Sequence, residues 1–497
     1  MGFIFLSESR NPSGSFSPSL FRDSKNLLAA ESLAIFTALI SQIILTRGIS
    51  QHDYGSWIII FDLSMVSFMF LDPGISTIVG REIQNELESA RQVIKSTLLI
   101  QLSLAVVVLP IVLLIVLDEL SSESAMPKFS ATLLSLAAFN FCLSSSHKAF
   151  LRSVGYSSIE ALIRVLDRTF LLIGYSFLWF IEGDLLDYCI MLFSIQSLTL
   201  ISVIYACFYV SSKIEEKRGG AVKSKHFTPR KLFRRAIPFF VFMALMQLTD
   251  RVDKIFLTYY SNPEDIATYG VALLVFFAGM SITRILRGVM LPWFGASIYS
   301  HEELSNKLLI SSNFTSVIAP IGVIFSLLTF EFLVPKVFPN EYLFPLGKDF
   351  TSLSIFHVLI VSWSLSMISS PFLEIIRATR NAKTVNFIHF SGLICGLIVA
   401  WFTVPRFGVY GAAFSMTAPQ IVFVSLFAKE LILGKSEIFR IPHVRSLLFS
   451  IICSLSPYLF IFSEVQYQIS WGITLIVSIL VTIRGSNLLR ESLSHSL

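Results

Sequence analysis

The sequence predicts an all-α fold, a polytopic membrane protein of about fourteen transmembrane helices in two six-helix lobes followed by a C-terminal helix pair. Three observations predict it. Hydrophobic residues make up 54% of the chain and charged residues 14%, with a mean hydropathy of +0.72. Soluble domains carry about 25% charged residues, so these charges are too few to cover a water-facing surface. Apolar runs of about 20 residues, enough at 1.5 Å rise to cross a hydrocarbon layer of roughly 30 Å, recur along the whole length. Lys and Arg residues, finally, are concentrated in alternate loops.

Taken in order, residues 1–25 are mostly polar, have no apolar core ahead of a small-residue cleavage site, and lack the Ser or Thr that myristoylation needs at position six. They read as a cytoplasmic tail. The N-lobe (26–210) holds apolar runs at roughly 26–46, 54–79, 93–117, 130–151, 158–181 and 187–210. A basic linker (211–235) within SSKIEEKRGGAVKSKHFTPRKLFRRA follows. The C-lobe (236–432) holds runs at roughly 236–259, 266–292, 307–337, 349–376, 385–404 and 409–432. The last segment (433–497) adds runs at roughly 445–463 and 466–484 and a tail.

Positive residues are retained in the cytoplasm, so Lys and Arg set orientation. With both termini inside, about 27 of the 38 basic residues fall inside, about 5 outside and about 6 within spans. The outside loops instead carry DELSSES (118–124), EGD (182–184) and NPED (262–265). Trp57, Trp293 and Trp471 fall near span ends, as interfacial aromatics should. The linker would be drawn to anionic lipid or a membrane-bound partner, at about 1 kcal/mol per basic residue near the surface, or would serve only to fix topology. The five Cys residues all lie in apolar runs, which indicates neither a disulfide framework nor a zinc site.

An internal repeat supports two lobes. LTRGISQHDYGSW (45–57) and LTYYSNPEDIATYGVA (257–272) share Leu-Thr at the outer end of a span, a short acidic turn, and Tyr-Gly opening the next. Six spans per lobe would make the repeats parallel, related by an axis along the membrane normal.

ILTRGISQHDYGSWIII, LDPGISTIVGREI (71–83), TDRVDKIFLTYYSNPEDIATYGVA, PKVFPNEY (335–342) and PRFGVYGAA (405–413) together resemble the polysaccharide flippases of the multidrug/oligosaccharidyl-lipid/polysaccharide exporter superfamily. The resemblance implies a V-shaped, two-lobed bundle around a central cavity that opens alternately to either side. It implies transport of undecaprenyl-diphosphate-linked oligosaccharide, as for O-antigen, from the cytoplasmic to the outer leaflet of a bacterial inner membrane. A polymerase and glycosyltransferases of the same pathway would be partners, alongside membrane lipids, with no nucleic acid. Drug-exporting relatives usually have about twelve spans, whereas the lipid II flippase branch also has about fourteen.

A charge at the centre of a membrane helix costs about 2.5 to 3.5 kcal/mol on insertion scales, so such residues face a partner or water. The seventh span carries Asp250, Arg251, Asp253 and Lys254, a neutral set in which Asp250 and Lys254 share a helical face. The fifth carries Glu160, Arg164 and Arg168 at intervals of four, with Asp167, and is also neutral. Either set would line or gate a cavity, or simply tie helices together. The eighth span places Arg284 and Arg287 three apart with no acid between Tyr269 and Tyr299. With Arg164 and Arg168 they would sit towards the inner side, where a diphosphate would enter and a planar guanidinium could hold it. The alternative for Arg284 and Arg287 is to reach inner-leaflet headgroups.

Asp62 and Asp72 of the second span, Glu331 of the ninth and Glu374 of the tenth are candidates for binding a coupling proton or sodium ion; His357 and His389 are isolated. No phosphate-cradling loop, metal-binding His pair or nucleophile elbow is present, so no enzyme or ATP-driven pump is indicated and no cofactor is expected. Energy would come from an ion gradient, the membrane potential or substrate consumption. Two competing readings are a cation-coupled drug or metabolite antiporter, which would prefer acidic lining residues, and a membrane glycosyltransferase or polymerase, which would need a catalytic carboxylate or a large soluble loop.

Overall fold

A computed structural model describes residues 18–433, apart from 83–89, 121–125, 218–227, 296–299, 346–347, 349 and 380–381. Among the described residues every regular element is helical. Twelve spans run in chain order as α1 (Pro18–Gly48), α2 (Gln51–Ser67), α3 (Ala90–Ile115), α4 (Lys128–Ser153), α5 (Ser157–Phe180) and α6 (Leu185–Lys217), then α7 (Pro229–Thr249), α8 (Pro263–Gly295), α9 (His301–Phe332), α10 (Ser352–Thr379), α11 (Ala382–Phe407) and α12 (Val409–Leu433). The expected thirteenth and fourteenth spans lie outside the described residues.

By length and composition nine of the described helices could cross a membrane, ten if the bent α7 counts as one span. The remaining two are α1, apolar only over Ser32–Gly48, and α5, which carries four charges. Local chemistry fixes the ends. Ser50 caps the start of α2: the Asp53 amide donates to Ser50 Oγ (3.1 Å), and the Ser50 hydroxyl donates to Asp53 Oδ2 (2.7 Å). Ser300 caps α9 by accepting from the Glu303 amide at 3.3 Å.

Two spans differ from the continuous helices that hydropathy suggests. After α2 the chain passes through a 3-10 turn (Phe68–Leu71), bends at Gly74 (φ 83°), and resumes as the helix Ile75–Glu82. Glycine fits there because the positive φ and the close approach both exclude a side chain: a Cβ would lie 2.6 Å from the Ala236 carbonyl oxygen and 2.8 Å from the Phe240 nitrogen. The seventh span begins at Pro229, bends by 54° between Ile237 and Phe239, and is interrupted again at Asp250 and Arg251 before the helix Val252–Tyr260. A proline at position 238 has no amide hydrogen for the helix, which accounts for the bend. The second interruption has no Gly or Pro to announce it.

Packing repeats with an offset of six spans. In the first half α1 packs on α5, α2 on α4, α4 on α6 and α5 on α6; in the second α7 packs on α11, α8 on α10, α10 on α12 and α11 on α12. The halves meet mainly along α2 and α8, with further contact of α3 and the Ile75–Glu82 helix on α7. Close packing within the second half is visible at Trp363 of α10, whose ring fills the space beside Gly322 of α9 and Gly279 of α8.

Candidate functional site

The seam between the halves is built from the two copies of the repeated motif. Tyr54-Gly55 opens α2 and Tyr269-Gly270 lies in the second turn of α8. A Cβ on Gly55 would fall 1.8 Å from the Pro263 carbonyl oxygen, and one on Gly270 would fall 2.3 Å from Ile58 Cδ1 and 3.3 Å from Tyr54 Cε1. Each glycine admits the opposite helix. Gln51 Nε2 lies within hydrogen-bond reach of the Glu264 carbonyl (3.1 Å), Thr268 Oγ1 (3.1 Å) and the Glu341 carbonyl (3.0 Å). The Tyr342 hydroxyl donates to the Ile49 carbonyl at 2.9 Å, and Arg47 donates to the Val337 carbonyl at 2.9 Å. PKVFPNEY is therefore a clasp on the junction between the end of α1 and the start of α2.

Deeper along this seam, the charges of the seventh span also find partners outside their own span. The break at Asp250 and Arg251 removes the helical register that would have stacked Asp250 over Lys254. Lys254 instead pairs with Asp62 of α2, with Arg251 Nε 3.9 Å from the same carboxylate, so the expected ion-coupling candidate Asp62 is the acid of an ion pair between the halves. Lys254 also lies over the Phe277 ring, 5.3 Å from its centroid, and Arg251 donates to Gln247 Oε1 at 2.6 Å. Asp253 is fully buried and accepts from the Tyr269 hydroxyl at 2.6 Å. Asp250 is exposed.

The α8 pair also separates. Arg284 is exposed, with Ser281 Oγ at 3.3 Å and no carboxylate within ion-pair distance among the described residues. Arg287 turns to α10 and donates to Ser370 Oγ (2.8 Å), Ser366 Oγ (3.0 Å) and the Ser366 carbonyl (3.1 Å). Its guanidinium is thus engaged within the second half. The pair is not remote from negative charge: Asp250 lies within electrostatic reach of Arg251, Lys254, Arg284 and Arg287, and Glu374 of Arg287. Four basic groups and the acids Asp62, Asp250, Asp253 and Glu374 gather where α8, the broken seventh span, α2 and α10 meet, and sum to zero; Arg377, paired with Glu374, brings the cluster to one net positive charge.

In the first half Glu160 is fully buried and accepts from Arg152 of α4 at 3.2 Å as well as from Arg164. Asp167 Oδ1 accepts from Gln196 Nε2 (3.1 Å) and Thr199 Oγ1 (2.8 Å) of α6, with Arg168 Nε 3.6 Å from Oδ2. Lys148 lies within electrostatic reach of all four fifth-span charges. Lys148 and Arg152, absent from the sequence-based set, make this cluster net positive by two rather than neutral. Asp72 accepts from the Ser76 amide at 3.1 Å and so caps the Ile75–Glu82 helix, while Glu374 is held by Arg377 at 2.9 Å. His389 packs against the Phe423 ring. Among the described residues no three of His, Cys, Asp and Glu converge as a metal site would require.

Sequence reasoning missed the serines facing Arg287. Their signal was present: Ser362, Ser366, Ser370 and Glu374 recur every fourth residue and so share one face of the helix.

Comparison with known proteins places this architecture. A family model described as "Polysaccharide biosynthesis protein" matches residues 22–298. No curated protein matches. The chain is similar in structure to a lipid II flippase, MurJ, in an inward closed conformation, at 17% identity and a TM-score of 0.62, covering 96% of this chain and 99% of that one. It is also similar to an outward-facing multidrug resistance MATE family transporter of the MOP superfamily (14% identity, TM-score 0.58, 84% of this chain and 96% of that one). The eukaryotic MATE transporter AtDTX14 is a third (13%, 0.56, 87% and 99%).

Proposed function

The chain belongs to the polysaccharide biosynthesis protein family, and from that premise we propose that it is a membrane transporter flipping polyprenyl-diphosphate-linked oligosaccharide between leaflets for surface polysaccharide assembly. The observation that carries the proposal is the convergence of Arg251, Lys254, Arg284 and Arg287 on the seam between the halves, at a broken span. Interrupted helices at membrane depth are tolerated where the freed backbone is shielded by protein or lines water, and in transporters they mark substrate sites. A diphosphate brings about two negative charges that need partners on leaving water. Arg284 is the exposed member of the set and supplies the fork; Arg287, held on Ser366 and Ser370, adds charge without competing for the same acceptor. The positive first-half cluster, with Arg164 and Arg168, serves the same headgroup from the other side.

In this reading the chain lies in a bacterial inner membrane with both termini cytoplasmic, and takes its substrate from glycosyltransferases and passes it to a polymerase. Transport draws on a proton or sodium gradient or on substrate consumption, with no bound cofactor. Replacement of Arg284 and Arg287 by Ala should abolish surface polysaccharide export while the protein stays inserted and abundant. Normal export by that double variant would remove the diphosphate assignment.

A further inference from the structure

We infer that the basic face formed by the start of α7 and the start of α3 binds headgroups of anionic membrane lipids. This site is separate from the seam charges and does not rest on the nature of the transported substrate. Residues 229–237 form an arm bent by 54° from the rest of α7. Its inner face is apolar: Leu232 and Ala236 are fully buried in a cluster with Ala90, Val93 and Ile94 of α3 and Val210 and Ile214 of α6. The arm exposes Arg230, Lys231, Arg234 and Arg235, and α3 exposes Arg91 and Lys95. Four-residue spacing puts Arg230 with Arg234, and Arg91 with Lys95, on single faces.

The α7 arm contains no acid from Pro229 to Thr249; α3 contains none either, although Glu86 and Glu88 precede Arg91 in the chain, and the adjacent end of α6 balances Lys213 and Lys217 against Glu215 and Glu216. Six exposed cations, four of them on the acid-free arm, therefore cap a small apolar core. One turn further along α7, Ile237 and Val241 are exposed apolar side chains. Basic residues directly above exposed aliphatic ones match the boundary between headgroups and hydrocarbon, which selects a lipid over a soluble anion or a protein. The arm is also the part of the second half that Gly74 touches, so a lipid bound there lies one contact from the junction of the halves.

The test uses the full chain, purified in detergent, and its retention of phosphatidylglycerol against phosphatidylcholine by native mass spectrometry. Arg230→Gln, Lys231→Gln and Arg234→Gln together should weaken phosphatidylglycerol retention roughly fivefold per charge, on the order of a hundredfold in all, and leave phosphatidylcholine unchanged. Unchanged phosphatidylglycerol retention would overturn the proposal. Because lost charge also threatens membrane orientation, a second variant adds Gly219→Arg, Gly220→Lys and Ala221→Arg to the three glutamines. Persistent loss there supports a site on the arm, and full recovery shows a diffuse charge effect and overturns the site.

Discussion

Lys254 and Asp62 show how the meaning of a membrane charge depends on its partner. Both side chains are largely withdrawn from solvent, at 8% and 19% exposure. Removing one leaves the other buried with inadequate compensation, a loss of about 3 kcal/mol, whereas removing both leaves only Arg251, which keeps Gln247 Oε1, without its carboxylate neighbour. Lys254→Met should therefore lower the denaturation midpoint in detergent clearly more than the double variant Asp62→Asn with Lys254→Met. Equal destabilisation by the two proteins would show that the pair is incidental. The ionisable residues themselves were legible in the sequence, since charges in apolar runs are conspicuous. Their pairing was not. Spacing reports neighbours along one helix, while Asp62 lies far along the chain from Lys254 and Arg152 reaches Glu160 from a different helix.

At the scale of the element, the glycine of each Tyr-Gly motif is a contact point. Gly55→Ala would put a methyl carbon 1.8 Å from the Pro263 carbonyl oxygen, a backbone atom that cannot rotate away, and α2 and α8 must part at that end. In a background carrying Gln51→Cys and Thr268→Cys, a short thiol cross-linker should join the two helices efficiently when Gly55 is kept. Adding Gly55→Ala to that background should lower the yield severalfold. Equal yields would contradict the seam. Ten of the helices, α7 included, could be placed from hydropathy because each is a long apolar run. The interruptions could not. Gly74 sits in LDPG but inside an apolar stretch, and Asp250–Arg251 breaks a helix without a breaker residue, through contacts that exist only once α2 is beside it.

For the molecule as a whole, the six-span offset in helix pairing accounts for the internal repeat: two copies of one packing plan meet through their copies of one motif. In the proposed orientation, with the basic loops inside, impermeant maleimide on intact cells should label a Cys at Ser261 and not one at Ser224. The reverse pattern would invert the topology and with it the proposed direction of transport. Family membership was visible from short glycine-containing motifs spread along the chain, because those glycines mark close helix approaches that side-chain changes elsewhere leave intact.

The composition of α5 bears on biogenesis. A translocon weighing this segment alone meets Glu160, Arg164, Asp167 and Arg168, each costing up to about 3 kcal/mol at the helix centre. The groups that relieve Asp167, Gln196 and Thr199, belong to α6 and are synthesised later, whereas α1 and α4, which supply packing and Arg152, are already made. Insertion of the fifth span is thus a cooperative event among nascent helices, and the ribosome must deliver α6 before it is complete.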